Sequence, residues 1–174
     1  DSLDYLGRVE SRDFVDCNHK VSTKYTYDKF RIVSENVLGR VLTNYTYDNF
    51  ENIIALSSLT DNEYYSYDKL SRLVEHNHNN GEYVETFSYD SNGNILSLNR
   101  TGTEPGNYAF EYNGDKLLRV KKDGIIIRSF AYGLDNAFYP TAMTINGEYK
   151  LLSWQGRKLV GVGNNIEYEY NDVG

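Results

Sequence analysis

Short stretches of the chain alternate apolar and polar residues with a period of two, which predicts β-strands with two different faces. In the clearest stretch, Phe87 and Tyr89 lie on one face and Ser88 on the other. The residues that follow, Asp-Ser-Asn-Gly, are typical of a tight turn, because Asp and Asn bond nearby backbone amides and Gly adopts positive φ. Ile95 then begins a second apolar run. This stretch therefore predicts a β-hairpin.

The aromatic-x-Tyr pair of this hairpin recurs along the chain at intervals of 20 to 23 residues as far as Trp154, and the last copy, at Tyr170, follows after 16 residues. The residue between the two aromatics is small or polar, so the opposite face of each strand is predicted to be polar. Trp154 occupies the place of the Tyr in one copy. The second members of the pairs are Tyr27, Tyr47, Tyr67, Tyr89, Tyr112, Tyr132, Trp154 and Tyr170. Internal repetition at this period indicates stacked supersecondary units.

The residues after each pair are also regular. Asp follows the pair in four copies, at Asp28, Asp48, Asp68 and Asp90. An apolar residue stands two positions later at Phe30, Phe50 and Leu70. An aliphatic residue that starts the return strand comes next, at Ile32, Ile53, Leu73, Ile95, Leu117 and Leu159. A second turn lies about halfway to the next pair, most clearly at Asn80-Gly81, Asp123-Gly124 and Asn146-Gly147, which are dipeptides typical of two-residue hairpin turns.

Each period therefore predicts two short strands and two turns. A single hairpin cannot bury its aromatic face, so neighbouring hairpins must pair, and the Tyr pairs would form a ladder across them. No stretch shows an apolar period of 3.6 residues with helix caps, so almost no helix is expected. The predicted fold class is all-β, a single array of antiparallel β-hairpins over residues 1–174.

The motif Tyr-Asp-x-x-(Gly/Ser)-(Arg/Asn)-(Leu/Ile) occurs from Tyr67 through Asp68 and Arg72 to Leu73, and again from Tyr89 through Asp90 and Gly93 to Ile95. It resembles the YD repeat of the Rhs family, which includes bacterial Rhs and wall-associated proteins, Tc-toxin shell subunits and teneurins. The resemblance covers nearly the whole chain. Tyr112 and Tyr132 depart from it, since neither is followed by Asp, and Trp154 replaces a Tyr.

The resemblance implies a curved or spiralling sheet that forms part of a β-shell. In the toxins of this family the shell encloses a C-terminal effector. The family's self-cleaving C-terminal core has no match in this chain, so no catalytic residue is carried over. Because the motif at Asp1 lacks its preceding Tyr and the motif at Tyr170 is cut off inside its turn, we expect a slice of a much longer, secreted or cell-surface array. Its sheet edges would be exposed and could mediate self-association or leave the slice marginally stable. Its partners would be neighbouring repeats and the enclosed effector.

Composition narrows the function classes. The 174 residues are 40% hydrophobic and 14% aromatic, with 17 Tyr and a net charge of −7. An acidic chain without clustered Lys and Arg does not suit nucleic acid, and no apolar run reaches the roughly 20 residues of a membrane-spanning helix. The single cysteine, Cys17, excludes an internal disulfide.

Three kinds of site remain to be weighed. Exposed aromatics stack on sugars, and the candidate glycan contacts are Tyr83, Tyr139, Tyr149 and Trp154. His76 with His78, and Cys17 with His19, are metal donors at i, i+2, but their spacing fits no zinc signature, so neither a metal nor a cofactor is expected. The Asp residues of the repeats occupy equivalent turns, whereas catalysis needs carboxylates in different environments. We therefore do not expect an enzyme.

Three functional readings follow. The first is a structural segment of a β-shell that encloses or displays a toxin or effector. The second is a module that recognises carbohydrate or a cell-surface protein through exposed aromatics. The third is a β-propeller with blades of two periods each, which the absence of a blade signature disfavours.

Overall fold

A computed structural model describes residues 1–15, 20–37, 41–133 and 138–170, with only the backbone of Val41. The turn predicted at 16–19, with its Cys17 and His19, lies outside the described residues. The chain forms two compact units, Asp1–Thr86 with Thr101–Thr103, and Phe87–Arg100 with Glu104–Gly174. Among the described residues all regular structure is β-strand, with no helix, and every strand pairing is antiparallel. The predicted all-β fold of hairpins is confirmed.

The first unit is a meander in which each strand pairs with the next. Its strands are β1 (Ser2–Leu3), β2 (Val9–Val15), β3 (Lys20–Asp28), β4 (Arg31–Val37), β5 (Val41–Tyr47), β6 (Ile53–Ser57), β7 (Asn62–Tyr67), β8 (Leu73–His78) and the first part of β9 (Tyr83–Tyr89).

The second unit continues from the end of β9 as another meander. Its strands are β10 (Ile95–Arg100), β11 (Gly106–Asn113), β12 (Lys116–Lys122), β13 (Ile125–Tyr132), β14 (Pro140–Ile145), β15 (Glu148–Gln155), β16 (Lys158–Val162) and β17 (Ile166–Glu167).

Two of the predicted two-residue turns have the expected geometry. Asp123 and Gly124 have φ of 50° and 83°, and Asn146 and Gly147 have φ of 50° and 84°. Positive φ at both central residues defines the type I′ turn, whose twist matches that of the flanking strands. The third turn, at 79–82, is longer, with positive φ at Asn79, Asn80 and Gly81.

A β-bulge interrupts the hairpins at the second aromatic of the pair. Tyr67 stands opposite Leu73, while the preceding Ser66 stands opposite Glu75, so Val74 is an extra residue in the return strand. The same register shift leaves one extra residue in five further hairpins, at Val33, Ile54, Leu118, Thr141 and Val160. A bulge bends its strand and increases the local twist. These six hairpins are therefore distorted at the same place in their repeats.

The two faces of the strands differ as the alternation predicts. The residues of each pair up to Trp154 are half-buried, whereas most of the residues between them, such as Thr46, Ser66 and Ser88, are exposed. Little is fully buried: the buried apolar residues are Val120, Ala142 and Val162, all in the second unit, and no large side chain in the described part of the chain is completely buried. Each unit is thus stabilised by contacts within the sheet and has no deep core.

Candidate functional site

The repeated feature with the most specific geometry is a hydrogen bond that joins one hairpin to the next. The hydroxyl of Tyr67 donates to the backbone carbonyl of Ile53 in the preceding hairpin, at 2.8 Å. Equivalent bonds run from Tyr27 to Val9 (2.8 Å), Tyr47 to Ile32 (2.6 Å), Tyr112 to Ile95 (3.0 Å), Tyr132 to Leu117 (3.0 Å) and Tyr170 to Leu159 (2.8 Å). We call this bond the tyrosine latch.

The backbone pairing explains why the latch is needed. Between β6 and β7 the paired residues run from Ser57 with Asn62 only as far as Ala55 with Tyr64. The carbonyl of Ile53 lies beyond the last pair, and the phenol of Tyr67 supplies its donor. Since half-buried carbonyls need a partner, the latch satisfies a backbone group and joins the hairpins at the same time. Burial, together with the negative charge of Asp48, raises the pKa of Tyr67, so its hydroxyl stays protonated.

Trp154 makes the corresponding contact in its own repeat. Its indole Nε1 donates to the carbonyl of Pro140 at 2.8 Å, and Pro140 is the first residue of β14. Trp154 therefore uses an N–H where the other copies use a phenol. The sequence placed Trp154 in the Tyr position, but it did not reveal Pro140 as the acceptor, because no aliphatic residue marks the start of this strand.

In four of the six tyrosine latches, a basic side chain covers the ring from the position just before the acceptor residue. The guanidinium of Arg8 lies 4.3 Å from the ring centre of Tyr27. The same relation holds for Arg31 over Tyr47 (4.9 Å), Lys116 over Tyr132 (5.3 Å) and Lys158 over Tyr170 (5.0 Å). Such cation–π contacts contribute about 0.5–1 kcal/mol each at exposed sites. The recurring basic residue before the strand-starting aliphatic is the sequence signal for this contact, and sequence reasoning did not use it.

The Asp that follows the pair organises its own turn. In the turn of Asp68, Oδ1 accepts the backbone N–H groups of Leu70 (2.8 Å) and Arg72 (3.0 Å), and Oδ2 accepts Nε of Arg72 at 2.7 Å. Asp4, Asp48 and Asp90 make the same three bonds, with Arg8, Asn52 and Asn94 at the fourth position.

These bonds favour the charged carboxylate. The backbone N–H of Arg72 lowers the pKa of Asp68, and the side-chain amides of Asn52 and Asn94 do the same for Asp48 and Asp90. Asp28 differs, because its turn is one residue shorter and its carboxylate bonds, among the described residues, only the side chain of Arg31, at 3.1 Å. Three of the four predicted turn carboxylates thus occupy equivalent environments.

A group of titratable side chains in mutual contact lies on β7, β8 and β9. One carboxylate oxygen of Glu63 contacts Nε2 of His76, and the other lies 2.8 Å from Nδ1 of His78. Glu85 lies 3.6 Å from Nδ1 of His76, whose ring stacks on Tyr65 with centroids 5.1 Å apart. Burial raises the pKa of Glu63, but the hydrogen bonds from the two histidines outweigh it and lower that pKa overall.

His78 is affected in the opposite sense. Its hydrogen bond to Glu63 raises the pKa of His78, and the charges of Glu82 and Asp61 add to this effect. Within the described ranges, no group of three or more His, Cys, Asp or Glu side chains is arranged to hold a metal ion. The Cys17 and His19 pair is not among those residues. Glu63, His76 and His78 therefore form a compact charge network in the sheet.

The four candidate glycan contacts do not converge. Tyr139 stacks on Trp154 with centroids 4.8 Å apart, so these two form one half-buried pair. Tyr83 lies in the first unit, half-buried with its ring at an angle of 66° to His76. Tyr149 is 67% exposed and points to the opposite face of β15 from Trp154, since the two positions differ by an odd number. Tyr149 is thus the candidate that presents an open ring to solvent.

Comparison with known proteins identifies the fold. No protein-family model and no curated protein matches the sequence. Among solved structures, a crystal structure of TcdB2-TccC3-Cdc42 matches 96% of the chain with a TM-score of 0.70 and 12% identity. A crystal structure of TcdB2-TccC3 without its hypervariable C-terminal region matches 92% of the chain, also at a TM-score of 0.70 and 12% identity. The Tc holotoxin pore of Photorhabdus luminescens, carrying a mutated TccC3, matches 92% at a TM-score of 0.68 and 10% identity.

These matches show that the chain has the fold of a segment of the Tc-toxin TcdB2-TccC3 proteins. At 10–12% identity the likeness concerns the fold alone, and the chain spans 11% of the length of each matched structure. The β-sheet fold that the Rhs/YD resemblance implied is thereby confirmed. In the part of the chain that the structure describes, no helix is long and apolar enough to cross a membrane.

Proposed function

We propose that this chain is a structural segment of a secreted or surface-exposed Rhs/YD-repeat protein, and that it forms part of the wall of a β-shell. The supporting observation is the tyrosine latch, which recurs in both units and joins successive hairpins within each of them. Such a contact can extend over any number of repeats, as a continuous wall requires. The wall encloses or displays a C-terminal effector and performs no chemistry itself.

The turn carboxylates agree with a role without catalysis. Asp48, Asp68 and Asp90 each accept hydrogen bonds from their own loop, and their pKa values are all lowered. A pair of carboxylates that acts as acid and base needs pKa values pushed apart by different environments. The repeated turns therefore serve to end strands at a constant length.

Protease protection in the complete parent protein tests this proposal. In a closed wall, a protease added outside leaves the enclosed C-terminal segment intact. Tyr67→Ala should open the wall locally and make that segment sensitive, while Tyr64→Phe, which alters an exposed tyrosine of the same strand, should leave it protected. A C-terminal segment digested at the same rate in the unaltered protein would contradict enclosure.

A second candidate function is recognition of glycan, and the exposure of Tyr149 favours it. An open aromatic ring outside the latch positions can stack on a sugar. Tyr149→Ala should then abolish selective binding on a glycan array, and Trp154→Phe, which keeps a ring against Tyr139, should retain it. A blank array for the unaltered chain would remove this candidate and leave the structural one.

A further inference from the structure

One edge of the first unit carries a row of exposed apolar side chains. The residue two positions after each turn Asp is Leu6, Phe30, Phe50 or Leu70 in successive hairpins, and these are 51%, 85%, 80% and 72% exposed. In a meander, every second connection lies at the same edge, so these four turns are neighbours. We call these four side chains the apolar turn row.

The turns of this row are held in place. In three of them the Asp carboxylate accepts the backbone N–H of the row residue, namely Leu6, Phe50 and Leu70. Adjacent turns also contact each other: the amide of Asn52 donates to the hydroxyl of Ser71 at 3.1 Å, and Arg31 lies 3.8 Å from Glu51. The exposed side chains therefore project from a preorganised edge, which lowers the entropy lost when a partner binds.

We propose that the apolar turn row is an interface for a second copy of the same array, packed edge to edge. Turns two strands apart are separated by about 10 Å, so a partner needs apolar groups at that period, and the array itself has it. A two-fold axis between the second and third turns would place Phe30 of one copy against Phe50 of the other. This interface is separate from the outer strand edges and does not depend on the shell function.

The charges beside the row are self-complementary in this arrangement. Lys29 and Arg31 flank Phe30, whereas Glu51, which is 72% exposed, follows Phe50. The two-fold axis brings the basic turn of each copy opposite the acidic turn of the other. Opposite charges at the rim direct register and exclude the arrangement in which like turns meet.

The interface is small. Four turns span about 30 Å, and a row about 10 Å wide gives on the order of 600 Å² buried over both copies, below the 1,200–2,000 Å² typical of stable complexes. A contact of this size is weak between free chains. The contact becomes stronger when the two copies are joined in one larger molecule, because their association is then intramolecular.

Sedimentation equilibrium of the chain over a concentration series tests the proposal. The weight-average mass should rise toward that of a dimer at concentrations on the order of hundreds of micromolar. Phe30→Ser with Phe50→Ser should abolish this rise, and Leu59→Ser should not. Leu59 is a matched control, since it is 83% exposed in a turn at the opposite edge. Circular dichroism of each variant verifies that its strands are retained.

A charge exchange makes the test specific. Glu51→Lys alone should weaken association, and the combination of Lys29→Glu with Glu51→Lys should restore it. A chain that stays monomeric at all concentrations would overturn the proposal. So would association that the row variants leave unchanged, which would point to pairing through outer strands. Binding of the row to neutral phospholipid vesicles, lost in the Phe double variant without any self-association, would also overturn it and assign the row to a lipid surface.

Discussion

Removal of a single phenolic oxygen tests whether the latch stabilises the array. In Tyr67→Phe the ring and its packing stay, but the carbonyl of Ile53 loses the donor that lies 2.8 Å away. A typical intramolecular hydrogen bond contributes about 0.5–1.5 kcal/mol net, and a half-buried acceptor left without a partner costs a comparable amount. For a chain of this size, 1 kcal/mol corresponds to about 2–4 °C in melting temperature. We expect a decrease of about 1–6 °C.

Tyr67→Ala removes the ring as well. Truncation of a fully buried aromatic costs about 3–5 kcal/mol, and Tyr67 is half-buried, so roughly half of that range is expected. Tyr64→Phe is the matched control, since Tyr64 lies on the same strand, is 42% exposed, and its hydroxyl bonds to no described residue. Phe in its place should change the melting temperature by less than about 1 °C.

The assay must resolve local opening, because repeat arrays do not unfold in one all-or-none step. Thermal melts followed by circular dichroism give the overall change, and amide hydrogen exchange locates it. In Tyr67→Phe the faster exchange should be confined to β5–β8, the two hairpins that this latch joins. Equal melting and equal exchange in Tyr67→Phe, Tyr64→Phe and the parent would refute the idea that the latch holds hairpins together.

Three further predictions concern the turns and the charge network. Gly102→Ala should destabilise the chain more than Gly93→Ala in chemical unfolding, because both have positive φ but a Cβ on Gly102 would lie 2.2 Å from the carbonyl oxygen of Glu82; equal effects would contradict this. Asp68→Ala should lower the melting temperature by about 3 °C through loss of the turn's hydrogen bonds, whereas Asp28→Ala, with one such partner, should lower it less. Because the pKa of His78 is raised, its contribution to the free energy of unfolding is complete below pH 6.5 and is lost as pH rises through its folded-state pKa. Because the pKa of Glu63 is lowered, its contribution to the free energy of unfolding is present above pH 4.5 and is lost in acid. The difference in melting temperature between the parent and His78→Gln should therefore be largest near pH 5.5 and shrink by pH 8; a difference independent of pH would show that the ion pair does not contribute.

The sequence predicted the strands and turns well because both are local. Alternation around Phe87 and Tyr89 specifies a two-faced strand, and Asn146-Gly147 specifies a type I′ turn through positive φ alone. The bulges were not predictable in this way. Val74 has no partner on β7 because of how β8 meets that strand, and nothing in its own neighbourhood distinguishes it from Val84, which pairs with Asn77.

In the candidate site, too, the local features were predictable from the sequence and the contacts between strands were not. The period of the Tyr residues indicated that they contact one another across repeats, but the contact that forms is between the hydroxyl of Tyr67 and the carbonyl of Ile53. Every residue has a backbone carbonyl, so the acceptor of the latch could not be predicted from the sequence. His76 and His78 were visible as an i, i+2 pair, while Glu63, which binds both, lies on another strand.

The amino-acid sequence alone therefore determined the class of fold, the repeat and its length, and the turn chemistry, because these depend on residues a few positions apart. Only the tertiary structure decided where the strand register shifts, which carbonyl each tyrosine binds, and that Phe30 and Phe50 remain exposed on one edge. Those features depend on which strand lies beside which and how far their hydrogen-bonded ladder extends. That pairing is a property of the assembled sheet and of no single segment of the chain.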